Sequence, residues 1–128
     1  MALEKKSNLE EAREMLEKAL AVYGHDEKLD NKLQLLLITK AFEVLIEYGW
    51  KELKRRVEDE GLDAPSPKAA IRAAARLSMI SEPEVWIRCL NARNDSVHNY
   101  YALPEKDFTM LCYELLKAAA EIVPPKVR

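Results

Sequence analysis

The residues best suited to chemistry lie together at positions 93–101, which read Arg-Asn-Asp-Ser-Val-His-Asn-Tyr-Tyr. Arg93 carries a permanent charge on a planar guanidinium that matches phosphate oxygens. His98 titrates near neutral pH and is one of only two histidines in the chain. A phosphate-binding cation beside a proton-transfer group is the minimum equipment for chemistry at a phosphodiester. The run therefore predicts a site that binds and reacts with a phosphate group. The alternative is a polar turn in which both side chains make only structural hydrogen bonds.

Arg93 continues the apolar stripe of a predicted helix, the fourth in the chain. Helical spacing puts it on the same side as the apolar residues Val85, Trp86, Cys89 and Leu90. A guanidinium drawn toward a core or an interface is costly unless an acid, carbonyl oxygens or a ligand phosphate compensates it. Asp95 and Asp107 are the acids that we expect as local partners.

His98 does not share that face of the helix. Five positions along an ideal helix correspond to a rotation of about 140°. For Arg93 and His98 to act on one substrate, the helix must loosen after Asn94, or each residue must meet a copy from another subunit. The Asn-Asp-Ser run at 94–96 favours loosening, because such side chains compete for backbone hydrogen bonds.

The chain as a whole predicts five helices and no strand. Only three glycines occur in 128 residues, and the apolar residues follow helical spacing. Capping boxes at Ser7 and Ser81 and the Ser66-Pro67 pair mark three helix starts. The predicted boundaries are Ser7 to about Tyr23, about Asp30 to Glu60, a start at Ser66, a start at Ser81, and Pro104 to about Val123. Short connections between these helices predict an all-α, up-and-down bundle with a four-helix-bundle core.

The second predicted helix is apolar around most of its circumference. A helix that is apolar on every side must be covered on every side. Either it lies at the centre of the monomer, or a partner subunit covers part of it. Residues 1–128 amount to a single domain, with a core at about 8–122. In so small a bundle we expect a homodimer, or a higher oligomer, formed through the second helix and the region of the fourth.

Composition restricts the class of protein. A net charge of −2 provides no global basic field, so any RNA contact must come from a local patch. The longest strongly apolar stretch, at about 33–38, is too short to cross a bilayer, and the N-terminus lacks the pattern of a signal peptide. Cys89 and Cys112 lie in amphipathic stretches and are expected to be buried and reduced. We therefore expect a cytoplasmic protein without membrane association, metal or cofactor.

Two other polar groups have simpler interpretations. His25 follows a glycine in a predicted turn, where we expect it to be solvated. The end of the second helix carries a basic cluster, consisting of Lys51, Lys54, Arg55 and Arg56. We expect this cluster to form a solvated face that pairs with the acids Glu52, Glu58 and Asp59. The alternative is a surface that steers RNA or an acidic partner.

The spacing of Arg93, His98 and Tyr100 resembles the signature of the HEPN superfamily (higher eukaryotes and prokaryotes nucleotide-binding domains). The resemblance is to the branch described as nucleotidyltransferase substrate-binding proteins or HEPN toxins, and it covers roughly residues 8–122. Further similar segments are the aromatic stretch at 42–51, the segments at 66–68, 71–72 and 84–86, and Asn94 directly after the arginine.

The resemblance implies a dimeric helical bundle whose arginines and histidines gather in a cleft between subunits. Active members of the superfamily are metal-independent ribonucleases. By this resemblance, Arg93 would neutralise the scissile phosphate and His98 would act as general acid or base. Asn94 would orient groups within the cleft. Val97 stands where many relatives have a small polar residue, which departs from the usual pattern.

The resemblance also implies a partner, a minimal nucleotidyltransferase that acts as antitoxin. Tyr100 would then be the acceptor for adenylylation, although Tyr101 duplicates the phenol. The added phosphodiester would place negative charge beside Arg93 and quench phosphate binding. Two alternatives stay open: a non-catalytic subunit that presents substrate or nucleotide to such an enzyme, and an interaction bundle in which Arg93 and His98 are structural.

Overall fold

The computed structural model describes residues 6–98 and 103–123, with the backbone alone described for 95–98. Within these ranges the chain forms five α-helices and no strand, which confirms the predicted all-α bundle. The helices are α1 (Asn8–Val22), α2 (Asn31–Asp59), α3 (Pro67–Arg76), α4 (Pro83–His98) and α5 (Glu105–Ala119).

The helix boundaries follow the local capping signals that the sequence predicts. Ser7 accepts a hydrogen bond from the Glu10 N–H while the Glu10 carboxylate accepts one from the Ser7 N–H, which completes the first capping box. Ser66 caps α3 by accepting from the Ala69 N–H. After α2, Gly61 adopts a φ of +86°, a left-handed conformation that glycine takes at little cost.

Two boundaries differ from the prediction. Helix α4 begins at Pro83, so Ser81 lies before the cap position and does not form the expected box. Its N–H instead donates to Glu121 Oε1 at 3.2 Å, a carboxylate just beyond α5. Helix α5 ends at Ala119 rather than near Val123. The turn that follows is bound to α2, because Arg56 Nη2 donates a hydrogen bond to the Ile122 carbonyl at 2.7 Å.

Helix α2 is the central element, because it contacts all four other helices. Its inward side chains, among them Phe42, Leu45 and Leu53, are fully buried. Between residues 33 and 48 it also has an outward apolar face, on which the exposed side chains are Leu33, Leu36, Leu37 and Tyr48. The helix is therefore apolar around most of its circumference, as predicted, but the single chain covers only part of the apolar surface.

The contact between α2 and α4 is unusually close. Trp86 of α4 is fully buried against Gly49 of α2. A Cβ atom on Gly49 would lie 2.5 Å from Trp86 Cζ3 and 2.9 Å from Cη2. Glycine therefore lets the indole approach the α2 backbone, and this packing sets how the two helices face each other.

Gln34 holds the connection between α1 and α2, a role that the sequence does not signal. The side chain is buried at 2% exposure. Its Oε1 accepts from the Gly24 N–H at 2.7 Å, and its Nε2 donates to the carbonyls of Asp26 and Leu29, each at 2.8 Å. A buried amide is stable here because its donors and its acceptor are all used.

None of the helices that the structure describes combines the length and the apolar character needed to span a bilayer.

Candidate functional site

Arg93 lies on α4 and reaches across to α2. Its Nη2 is 3.0 Å from Glu47 Oε2, and 34% of the Arg93 side chain is exposed. The guanidinium is thus partly withdrawn from solvent and paired with an acid, as its place on the apolar stripe predicts. The sequence suggested Asp95 and Asp107 as partners and did not indicate Glu47, which lies on another helix; the side chain of Asp95 lies outside the described residues.

Glu47 is the point at which several donors converge. Trp50 Nε1 donates to Glu47 Oε2 at 3.2 Å, and the Lys51 ammonium lies 3.3 Å from Oε1. Burial by itself would raise the pKa of Glu47, but the hydrogen bonds from Trp50 and Lys51 and the charge of Arg93 outweigh it and hold that pKa below its usual range. Glu47 is therefore an ionised carboxylate at neutral pH.

These side chains line an open groove of about 330 Å³ between α2 and α4, which we call the Arg93 groove. Its lining residues are Lys40, Glu43, Val44, Glu47, Tyr48, Lys51 and Arg93. Three of these are cations and two are carboxylates, so the formal charge of the lining is 3 − 2 = +1. The exposed Tyr48 ring adds an aromatic surface. Such a lining suits a ligand that carries both a phosphate and a ring.

A second, apolar groove of about 580 Å³ adjoins the first between α1 and α2. The two grooves share Lys40, Val44 and Tyr48. The apolar groove is also lined by Met15, Val22 and Leu37, among others, and these three side chains are 60%, 46% and 53% exposed. The exposed face of α2 therefore leads directly into the Arg93 groove.

The remaining motif residues are described less fully. Asn94 is exposed on α4, beside Arg93. Tyr100 and Tyr101 lie outside the described residues, as does the side chain of His98. The expectation that the helix loosens after Asn94 is wrong, because α4 stays helical through His98. On an ideal helix the Cα atoms of residues 93 and 98 therefore stay about 140° apart around the axis.

Lys54, Arg55 and Arg56 of the basic cluster late in α2 form the predicted solvated face, whereas Lys51 pairs with Glu47 in the Arg93 groove. Arg55 pairs with Glu52 at 2.7 Å and Asp59 at 2.9 Å, and Lys54 pairs with Glu58 at 2.9 Å. Arg56 joins Glu52 at 2.7 Å. The hydrogen bond from Arg55 is the largest effect on the pKa of Glu52 and lowers it. Burial raises this pKa and Arg56 lowers it further, so that it stays below its usual range. These three cations are neutralised by the three acids, so they form no separate cationic patch.

Other candidate groups behave as expected. His25 is exposed in a turn. Cys89 and Cys112 are free and buried, and burial raises the pKa of the Cys112 thiol to about 12. Both cysteines are therefore inert thiols rather than nucleophiles at neutral pH. Within 6–98 and 103–123, as far as side chains are described, no group of three or more histidine, cysteine or acidic side chains could hold a metal ion.

Comparison with known proteins is informative at the level of family and fold. Residues 4–107 match the model of the family described as nucleotidyltransferase substrate binding protein like. A crystal structure of a protein from Thermus thermophilus has the same fold, with a TM-score of 0.74 over 89% of this chain and 94% of that chain, at 21% sequence identity. No curated protein matches the sequence.

Proposed function

The chain belongs to the nucleotidyltransferase substrate binding protein like family, and from this membership we propose that it acts as the helical partner of a nucleotidyltransferase. The observation that carries the proposal is the match over 104 of 128 residues, a span that includes the Arg93 groove and the Arg-His-Tyr motif. A phosphate-bearing ligand in this groove is consistent with such a partner.

The finer proposal is that the chain is an HEPN-type toxin, a metal-independent endoribonuclease. Arg93 would bind the scissile phosphate, His98 would transfer protons, and Asn94 would hydrogen-bond within the cleft. Because α4 stays helical through His98, the histidine at this phosphate would come from a second copy of the chain. The ribose 2′-hydroxyl would attack phosphorus as the bond to the 5′-oxygen breaks, which leaves a cyclic 2′,3′-phosphate. The partly exposed guanidinium of Arg93 at an open groove supports this assignment.

The nucleotidyltransferase would act as antitoxin by adenylylating Tyr100. Incubation of the chain with ATP and a candidate nucleotidyltransferase partner is then expected to add one or more adenylyl groups, measured as intact mass. Tyr100→Phe should remove one addition, and Tyr101→Phe is the matched control that should leave it in place. Unchanged mass in the wild-type chain would refute regulation by adenylylation.

A second candidate function is a non-catalytic subunit that presents substrate or nucleotide to the transferase. The pairing of Arg93 with Glu47 favours it, because a guanidinium already bound to a carboxylate is suited to reversible anion binding. This candidate predicts a stable complex with the transferase and nucleotide binding without RNA turnover. RNA cleavage by the purified chain, lost in Arg93→Ala, would decide for the toxin.

We also propose that a second copy of the chain covers the apolar groove. Its rim carries Glu11 as well as Lys18 and Lys40, so two copies related by a twofold axis could pair opposite charges. Because this groove shares Tyr48 and Lys40 with the Arg93 groove, the second copy would also form a wall of the candidate site.

The chain is accordingly expected to be a dimer at micromolar concentration, measured by sedimentation velocity. Leu37→Glu should shift it to monomer, because it places a charge within the apolar groove. Leu62→Glu is the matched control, since Leu62 is comparably exposed, at 41% against 53%, but lies beyond α2. A wild-type monomer, or a Leu37→Glu dimer, would exclude this interface.

A further inference from the structure

The Glu47 carboxylate is surrounded by hydrogen-bond donors of the kind that form an anion-binding site. Its carboxylate receives the Arg93 guanidinium at 3.0 Å and the Trp50 indole N–H at 3.2 Å on Oε2, and the Lys51 ammonium at 3.3 Å on Oε1. A guanidinium, an ammonium and a neutral N–H group are the donors that proteins use to bind phosphate. Here all three point at one carboxylate of the chain itself.

Contacts that do not involve Glu47 also help to position the donors. The Lys51 ammonium lies 6.0 Å from the centroid of the Trp50 ring, within reach of a cation–π attraction. The α2–α4 contact that positions Arg93 relative to α2 is made by Trp86 against Gly49. Loss of the Glu47 carboxylate would therefore leave the donors close together.

The carboxylate itself can leave at small cost. The Glu47 side chain is 30% exposed and faces the open Arg93 groove rather than the core. Ion pairs with this degree of exposure contribute only about 1 kcal/mol or less. Inorganic phosphate and a phosphate monoester carry more charge than a carboxylate at neutral pH and more acceptor oxygens, and a phosphodiester carries the same charge as a carboxylate, so each can compete for the same donors.

We infer that Arg93, Lys51 and Trp50 form a phosphate-binding site that the Glu47 carboxylate fills in the ligand-free protein, and that a substrate phosphate displaces Glu47. The inference rests on the proposed function, since it specifies how that site binds its ligand. It adds Lys51 and Trp50 to the residues that contact the ligand, and it assigns Glu47 the part of a competing anion.

The test is a titration of the ¹⁵N-labelled chain with inorganic phosphate and with AMP, followed by NMR. The chain has two tryptophans, so the indole N–H signals report on two places. The Trp50 signal should shift during the titration. The Trp86 signal should not, because that indole N–H is buried in the core.

Glu47→Gln is expected to bind both probes roughly three- to tenfold more tightly than the wild type, because a like charge next to the phosphate is removed. Arg93→Ala in the Glu47→Gln background should reverse the gain. Glu52→Gln is the matched control: it removes the same charge from α2, at a residue that pairs with Arg55 and Arg56 outside the groove, and should leave affinity unchanged.

Unchanged or weaker binding by folded Glu47→Gln protein would overturn the inference and make the Arg93–Glu47 pair a structural tie. If that variant fails to fold, two other variants decide. Lys51→Ala, at an exposed residue, and Trp50→Phe must each weaken phosphate binding by the otherwise wild-type chain, and the inference fails if either variant binds as tightly as the wild type. These titrations need neither RNA nor ATP. Failure of the inference is thus distinguishable from failure of the proposed function, which RNA cleavage and adenylylation test separately.

Discussion

Arg93→Ala is expected to reduce RNA cleavage by at least about 100-fold, because removal of one preorganised donor to a developing oxyanion typically costs that much. The variant should still fold. Its lost contact is a partly exposed ion pair with Glu47, and pairs of this kind contribute about 1 kcal/mol or less to stability. The measurement is the rate of release of products with a cyclic 2′,3′-phosphate end, together with the unfolding transition of each variant.

Arg88→Ala provides the matched control for this prediction. Arg88 is also an arginine of α4, and it pairs with Glu114 at 2.7 Å on a surface away from the Arg93 groove. Its replacement should leave cleavage unchanged. Arg93→Lys should recover only part of the activity, because an ammonium cannot reproduce the bidentate geometry of a guanidinium. Full cleavage by folded Arg93→Ala protein would rule out Arg93 as a catalytic residue.

Gly49→Ala is expected to destabilise the fold by about 1 to 3 kcal/mol, the usual range for overpacking a core. An alanine inside a helix normally stabilises by about 1 kcal/mol relative to glycine. At this position the added Cβ would lie 2.5 Å from Trp86 Cζ3, and the indole is fully buried, so it can move away only if its neighbours in the core shift. The steric clash therefore outweighs the gain in helix propensity. Chemical denaturation monitored by circular dichroism measures the difference in the free energy of unfolding.

A double-mutant cycle isolates the cause of that loss. Trp86→Phe removes the part of the ring that meets the new Cβ, although it leaves a cavity of its own. In the Trp86→Phe background, Gly49→Ala should therefore cost far less than in the wild-type protein. If the two changes are additive, the predicted contact between residue 49 and the indole is not the cause.

The helix boundaries were largely predictable because capping is local. Ser7 and Ser66 accept hydrogen bonds from residues three positions ahead, so the pattern that predicts them lies within one turn. Ser81 shows the limit of that reasoning. Its N–H has a competing acceptor in Glu121, forty residues away, and nothing near Ser81 in the sequence indicates this.

The candidate site was predictable only in part, because its residues lie on two helices that are far apart in the sequence. The position of Arg93 on the apolar stripe of α4 correctly predicts a side chain that is partly buried and needs a partner. The identity of that partner was not predictable. Glu47 and Lys51 look like an ordinary i,i+4 pair on a solvated helix, and Trp50 looks like a core residue. Only the contact of α2 with α4 turns them into a group that faces Arg93.

The sequence by itself determined the helical class, the order and approximate ends of the helices, and the apolar surface of α2, because caps and apolar periodicity depend on neighbouring residues. The tertiary structure decided which faces of α2 and α4 meet. That depends on Trp86 packing against Gly49, and on the rotation of each helix about its own axis, which the whole core sets at once. Arg93 was visible in the sequence as a cation in need of an anion, and the fold made Glu47 that anion.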